Sequence, residues 1–167
     1  MANTIQFKNM TCRCSNGCLD VLLTVIGLSG SSIARSDCER NLIIWLMEKD
    51  QSMVGLGTVL FDIIEMPWKK QCFERQKLFM LQVLAGVKEK TGWETLDYDP
   101  NEEIIFDRIN SLQDMFYSIQ VNDINEELTD QWLEDAEICK LIGDEYPKCK
   151  KHGIYMSIWG CLACNDK

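Results

Sequence analysis

The sequence is poor in the residues on which most catalytic sites depend. It contains one histidine, His152, and only three prolines in 167 residues. It has no H-E-x-x-H motif, no G-x-S-x-G elbow and no glycine-rich phosphate loop. A Cys–His or Ser–His mechanism needs a histidine, and the only one here lies among cysteines with metal-ligand spacing. These absences predict a protein that is not an enzyme.

Long apolar runs and targeting signals are also missing. The longest runs, residues 21–26 and 42–47, fall far short of the roughly 20 residues of a membrane span. The N-terminus lacks the basic start and apolar core of a signal peptide. We therefore expect a soluble, cytoplasmic protein without membrane contact. Its length predicts one domain over residues 1–167, with a helical body (1–145) and a tail (146–167) packed on it.

Cysteine, by contrast, is abundant, with nine in the chain. The tail carries two pairs of ligand-type residues, Cys149 with His152 and Cys161 with Cys164, each with two residues between the partners. This spacing turns two side chains toward one point, and two such pairs complete a tetrahedral set for zinc. The sequence therefore predicts a structural zinc site made of these four residues, with no open position for a substrate.

The two pairs resemble the knuckles of zinc ribbons, in which a glycine follows the second ligand as Gly153 follows His152. The resemblance is confined to the tail. It departs from the ribbon pattern because a histidine replaces one cysteine and because only eight residues separate the pairs. It implies a short metal-bound hairpin packed on the helices.

The remaining cysteines are less informative. The C-x-C and C-x3-C spacings of Cys12, Cys14 and Cys18 leave open either a second metal site or structural thiols. Cys38, Cys72 and Cys139 stand singly in apolar patterns, which predicts small core residues.

Hydrophobic periodicity predicts a mainly α fold, a compact bundle of five or six helices that ends in the small zinc-bound hairpin. The first eleven residues are typical of a tail or a short edge strand. The apolar segment 53–64 is a weaker helix candidate because it contains two glycines. The predicted helices cover residues 19–26, 36–46, 70–90, 99–119 and 128–142, with Asp99 as the expected cap of the fourth and Gly143 as the end of the fifth.

Negative charge is concentrated in one third of the chain. Residues 94–145 hold 16 acidic and two basic residues, whereas residues 1–93 have a net charge of +2. Six acidic residues lie along or just before the last predicted helix: Glu126, Glu127, Asp130, Glu134, Asp135 and Glu137. Such a surface is either a solvated face or a docking face for a basic protein.

The docking interpretation predicts an acidic binding protein that occludes a basic partner. Bacterial immunity proteins, which neutralise toxin nucleases, are similar in being small, acidic, soluble and without catalytic motifs. The alternative is a zinc-ribbon regulatory or nucleic-acid-associated factor. Direct contact with nucleic acid is disfavoured, because the tail offers only Lys148, Lys150 and Lys151 beside a segment that repels phosphate.

Two carboxylate pairs leave a further alternative. Glu103 with Asp107, and Asp130 with Glu134, stand one helical turn apart, a spacing that suits a magnesium ion in an all-α nucleotide hydrolase. A solvated helix face explains the same spacing more simply.

Overall fold

The computed structural model describes residues 3–49 and 58–164. Within these ranges the protein is mainly α, as predicted, with six helices and a small three-stranded sheet. The strands are β1 (Asn3–Phe7), β2 (Met10–Cys14) and β3 (Leu60–Asp62), and the helices are α1 (Asn16–Ile33), α2 (Asp37–Met47), α3 (Phe73–Lys88), α4 (Glu102–Ser118), α5 (Glu126–Leu133) and α6 (Ala136–Gly143).

The sheet was not predicted. Strand order is β2-β1-β3, with β1 antiparallel to β2 and parallel to β3. The first residues therefore form the central strand, so the expectation of a tail or edge strand is wrong. Its second partner lies far along the chain, where residues 60–62 form β3 and residues 63–65 a 3₁₀ turn. The rest of the weak helix candidate, residues 53–57, lies outside the described residues.

Helix α1 is longer than the sequence pattern indicates. It continues through Gly27 and Gly30 to Ile33 because these glycines let α2 approach closely. A Cβ at Gly27 would lie 2.6 Å from the Met47 Sδ atom, and one at Gly30 would lie 2.2 Å from the Ile43 Cδ1 atom. By length and composition alone α1 also suffices to cross a membrane, although 61% of it is buried inside the protein.

Helices α3 and α4 bury the apolar stripes that their periodicity predicts. Of the stripe predicted for α3, Phe73, Phe79, Met80, Val83, Leu84 and Val87 are buried and Lys77 is half-buried. The residues predicted for α4 are all buried: Ile105, Ile109, Leu112 and Phe116 in the helix, and Ile119 at its C-cap. Helix α4 begins two residues later than expected. Its cap is Asn101, whose side chain accepts a hydrogen bond from the Ile104 N–H at 3.1 Å, and not Asp99.

The predicted long helix over residues 128–142 is two short helices, α5 and α6. Asp135 separates them by capping α6, where its carboxylate accepts hydrogen bonds from the N–H groups of Glu137 and Ile138. Of the side chains expected to point inward, Leu128, Ala136 and Cys139 are exposed. The two helices therefore lie on the surface of the core.

Candidate metal centre

The C-terminal tail folds into two tight turns that present the predicted ligands. In the first turn, the Gly153 N–H donates to the Cys149 carbonyl at 2.8 Å, and Gly153 adopts a left-handed φ of 71°. Glycine suits this position because a Cβ is strained at positive φ. In the second turn, the Cys164 N–H donates to the Cys161 carbonyl. Bridges between Lys148 and Tyr155 and between Ser157 and Gly160 connect the two.

The four predicted ligands converge. The ligand atoms of Cys149, His152, Cys161 and Cys164 all lie within 4.8 Å of one another, which is close enough to bind one metal ion. His152 presents Nδ1 to the cluster, at 3.7 Å from the Cys149 and Cys161 sulfurs and 3.4 Å from the Cys164 sulfur. The Cys149 and Cys164 sulfurs are 3.6 Å apart. The sequence spacing therefore identified a candidate metal centre.

The protonation of the three thiols differs. Burial acts to raise the pKa of Cys149, but hydrogen bonds from the backbone and ring of His152 outweigh it and lower that pKa to about 6. Burial, followed by the contact with Cys149, raises the pKa of Cys161 to about 12. The same causes raise the pKa of Cys164. A metal that binds all three sulfurs as thiolates therefore releases protons.

The tail is tied to the helical body through its middle residues. Ile154 and Tyr155 are 0% and 4% exposed and belong to the same apolar core as α1 and α2. The Tyr155 N–H donates to the Ser31 hydroxyl at 3.0 Å, and the Arg40 guanidinium donates to the Tyr155 hydroxyl at 3.1 Å. Lys148 donates to the Ser31 carbonyl at 2.8 Å. The segment between the two ligand pairs is therefore part of the core.

The six acidic residues of the predicted docking face divide into two groups. Glu126 accepts a hydrogen bond from the Lys70 N–H at 2.6 Å, Asp130 forms an ion pair with Lys69, and Asp135 caps α6. Glu127, Glu134 and Glu137 are exposed, and none of them forms an ion pair within the described parts of the chain. The sequence did not indicate that Lys69 partly offsets this face, because Lys69 lies more than 50 residues earlier.

The carboxylate pairs considered for magnesium have other contacts. Asp107 forms an ion pair with its neighbour Arg108, and Asp130 with Lys69. Glu103 and Glu134 are exposed. Among residues 3–49 and 58–164, the tail cluster is the one group of three or more cysteine, histidine or acidic side chains that converges on a point.

The N-terminal cysteines belong to the edge of the sheet. Cys12 and Cys14 point inward from β2 and are buried, and Cys18 lies in the first turn of α1. The Cys12 sulfur lies 4.0 Å from the Arg108 carbonyl, and among the described residues the three thiols do not form a converging set like that of the tail. The prediction for the single cysteines is wrong, because Cys38 and Cys72 are half-buried and Cys139 is exposed.

The sequence did not indicate the buried environment of one ionisable residue, Glu48. Glu48 lies at the end of α2, where its Oε2 accepts a hydrogen bond from the Trp132 indole at 3.0 Å. Its Oε1 is buried without a hydrogen-bond partner among the residues that the structure describes. Burial raises the pKa of Glu48 to about 7, against the opposing effects of Trp132 and Lys49. The hydrogen bond from Trp132 of α5, which is distant in sequence, is part of this environment.

No family model matches the chain, and neither a curated protein sequence nor a solved structure matches it. The local chemistry of the described residues therefore carries the functional conclusions.

Proposed function

We propose that the tail cluster binds zinc and that the ion has a structural role. A tetrahedral ion with Zn–S bonds of about 2.3 Å and a Zn–N bond of about 2.0 Å has S···S edges of about 3.8 Å and S···N edges of about 3.5 Å. The separations of 3.6 Å between the Cys149 and Cys164 sulfurs, and of 3.4 to 3.7 Å from His152 Nδ1 to the three sulfurs, are close to these edges. This observation carries the proposal.

A structural role follows from the ligand count and from the position of the tail. Three sulfurs and one imidazole fill all four positions, so no position is left for a substrate or a catalytic water. The segment between the ligand pairs contributes Ile154 and Tyr155 to the core. Zinc binding therefore supplies stability that this short segment lacks on its own.

Metal analysis of the purified, untagged protein tests the zinc proposal. We expect one zinc per chain, and we expect chelation to lower the free energy of unfolding by about 3–4 kcal/mol, as for an ion present at 100 to 1,000 times its dissociation constant. Cys161→Ser should lose both the metal and the chelator effect. The matched control, Cys139→Ser, changes an exposed cysteine outside the cluster and should keep both. A purified protein that contains no metal, and whose free energy of unfolding does not change with chelator, contradicts the proposal.

We further propose that the protein is a non-enzymatic binding protein whose acidic face on α5 and α6 occludes a basic protein in the cytoplasm. The supporting observation is that Glu127, Glu134 and Glu137 are exposed with no neutralising cation among the described residues. Leu128, which is 37% exposed, provides an apolar anchor beside them. A toxin nuclease is the partner class that suits such a surface, because carboxylates stand in for the phosphates that a nuclease binds.

Charge reversal tests the docking face. The triple variant Glu127→Lys, Glu134→Lys, Glu137→Lys should lose at least tenfold in affinity for its partner and flatten the salt dependence of binding. The probes are purified basic nuclease domains of bacterial toxins, with binding measured by calorimetry and inhibition by nuclease assay. The matched control reverses three exposed acidic residues elsewhere, Glu74, Glu103 and Asp114. Equal affinity of the two variants, or no binding by the wild type, removes the proposal.

The same measurements distinguish the nucleic-acid alternative. Of the lysines near the knuckles, Lys148 donates to Ser31 and Lys151 forms an ion pair with Asp97. Few free cations therefore remain on that side for phosphate. A gel shift at low salt should show no binding to single- or double-stranded nucleic acid, and a clear shift would favour the alternative.

A further inference from the structure

The carboxyl of Glu48 joins the core helix α2 to the surface helix α5. Glu48 is the C-cap of α2, and its Oε2 accepts a hydrogen bond from the Trp132 indole at 3.0 Å. Its Oε1 is buried and has no hydrogen-bond partner among residues 3–49 and 58–164. A buried carboxylate oxygen without a partner loses its hydration and gains no hydrogen bond in return, so this position disfavours the charged form of Glu48.

The charges around Glu48 also disfavour a carboxylate. The C-terminus of α2 carries the negative end of the helix dipole. Asp135 and Glu137, at the start of α6, repel a negative charge on Glu48, and Lys49 attracts it. The Lys49 ammonium lies over the Trp45 ring, 4.0 Å from its centroid, and forms no ion pair with Glu48. Burial, together with the repulsion, therefore raises the pKa of Glu48 to about 7.

Helices α5 and α6 are joined to each other beside the residue that contacts Glu48. The Asp135 N–H donates to the Trp132 carbonyl at 3.2 Å, and the Cys139 thiol donates to the Leu133 carbonyl at 3.0 Å. Asp135 also caps α6. Residues 126–143 therefore form one unit, the α5–α6 unit, in which a movement of Trp132 moves the start of α6 as well.

The α5–α6 unit is attached to the rest of the protein by few buried contacts. Thr129 and Ile138 are its buried residues. Trp132 packs on the core while partly exposed, and Asp130 forms an ion pair with Lys69 at the surface. Segments with few buried apolar contacts open locally at a lower free energy than core helices do. The contact between Glu48 and Trp132 therefore affects how often the unit opens.

We propose that Glu48 makes the attachment of the α5–α6 unit depend on pH: the unit lies on the core when the Glu48 carboxyl is protonated, and it opens more often when the carboxyl is ionised. In the closed unit, an ionised Glu48 keeps one buried oxygen without a partner and faces Asp135 and Glu137. In the open unit, water solvates both oxygens and the repulsion is relieved. The carboxyl proton passes to solvent, so opening is coupled to the release of one proton.

Opening returns the pKa of Glu48 from about 7 to its ordinary value of 4.5. A raised pKa in the closed state stabilises that state at low pH, and this stabilisation is lost as pH rises through about 7. For these two pKa values, the equilibrium constant for opening rises about tenfold between pH 6 and pH 8.5. The proposal depends neither on zinc binding nor on the docking of a partner.

Hydrogen exchange of the full-length protein, as purified, tests the proposal at pH 6 and pH 8.5. Exchange rates of peptides, measured by mass spectrometry, are divided by the intrinsic rate at each pH to give protection factors. Residues 126–143 should be less protected than α3 at both pH values, because α3 belongs to the core and exchanges only when the whole protein unfolds. The protection of residues 126–143 should fall about tenfold from pH 6 to pH 8.5.

Two variants with the same chemical change identify the titrating group. Glu48→Gln keeps an acceptor for the Trp132 indole and removes the ionisable carboxyl, so the protection of residues 126–143 should no longer change with pH. The matched control, Glu127→Gln, neutralises an exposed carboxylate of α5 and should keep the tenfold change. If Glu48→Gln fails to fold, Trp132→Phe takes its place. This variant keeps the carboxyl but removes a hydrogen bond that lowers its pKa, so the change with pH should become larger.

Three results would overturn the proposal. If residues 126–143 are as protected as α3, the unit opens only when the whole protein unfolds, whatever the pH dependence of global stability. Protection that does not fall between pH 6 and pH 8.5 would show that ionisation of Glu48 does not favour opening. An equal fall in Glu48→Gln and in the wild type would assign the pH dependence to another group.

Discussion

Two pairs of helices differ in how they pack on the rest of the protein: α3 with α4, and α5 with α6. Seven residues of α3 and five of α4 are buried, whereas α5 and α6 bury one residue each, Thr129 and Ile138. Apolar burial dominates the free energy of folding. The first pair is therefore part of the core, and the second pair depends on other contacts.

Those other contacts are polar ones, together with the packing of the partly buried Trp132, Leu141 and Ile142 against the core. The Thr129 hydroxyl donates to the Trp68 carbonyl at 2.7 Å, the Trp132 indole donates to Glu48, and Asp130 pairs with Lys69. Each of the two hydrogen bonds stabilises by about 1 kcal/mol and the exposed ion pair by less, compared with about 2–3 kcal/mol for a fully buried large apolar side chain. Helices attached in this way open locally at lower free energy than core helices do, which would let the proposed docking face adapt to a partner.

The largest expected effect comes from a core residue of α4. Phe116 is 2% exposed and packs against Trp68, with ring centroids 6.1 Å apart. Phe116→Ala should lower the free energy of unfolding by about 3–5 kcal/mol through lost burial and the cavity left behind. Urea unfolding followed by circular dichroism measures it. Leu128→Ala on α5, 37% exposed, is the matched control and should change the free energy by less than about 1 kcal/mol. Equal losses would contradict the contrast between the two pairs.

The same contrast explains what the sequence could predict. The stripes of α3 and α4 and the spacing of Cys149, His152, Cys161 and Cys164 are local patterns, and the structure places these residues as the patterns indicate. The central position of β1 was not predictable, because it requires pairing with Leu60 and Phe61.

The sequence did not predict the division between α5 and α6 for a different reason, which is that one residue type has two possible roles. An aspartate such as Asp135 occurs both on a solvated helix face and as a helix cap, and tertiary packing decides between them. The buried carboxyl of Glu48 likewise has no local signal, because its partner Trp132 lies 84 residues later. The sequence therefore predicted the strongest local patterns, but it did not resolve which aspartate or asparagine caps a helix, and it missed contacts that join distant segments.

A smaller effect is expected at Glu48, and it depends on pH. Burial raises the pKa of this carboxyl from an ordinary value of 4.5 to about 7, with Asp135 and Glu137 adding to the rise and with Trp132 and Lys49 opposing it. The folded protein thus binds a proton that the unfolded chain releases between pH 4.5 and 7. The stabilisation that this bound proton provides is fully present below about pH 4.5 and is lost as pH rises through about 7.

Glu48→Gln tests this assignment, because glutamine keeps an acceptor for the Trp132 indole and removes the charge. We expect the variant to be more stable than the wild type by about 2 kcal/mol at pH 8, and about equal to it at pH 5. Urea unfolding at the two pH values measures the difference. A stabilisation that is the same at pH 5 and pH 8 would show that the carboxyl of the folded protein is already charged at pH 5, and it would contradict the raised pKa.

The smallest effect is expected at Asp135, where capping and charge can be separated. Asp135→Ala removes the acceptor for the N–H groups of Glu137 and Ile138 and should cost about 1 kcal/mol. Asp135→Asn keeps a capping oxygen and removes the charge, so it should cost less than the alanine variant. Both variants remove a negative charge that raises the pKa of Glu48, so both should shift the stability transition near pH 7 to lower pH. Urea unfolding between pH 5 and 8 separates the two effects. If Asp135→Asn lowers the free energy of unfolding as much as Asp135→Ala does, Asp135 stabilises the junction of α5 and α6 through its charge and not through its cap.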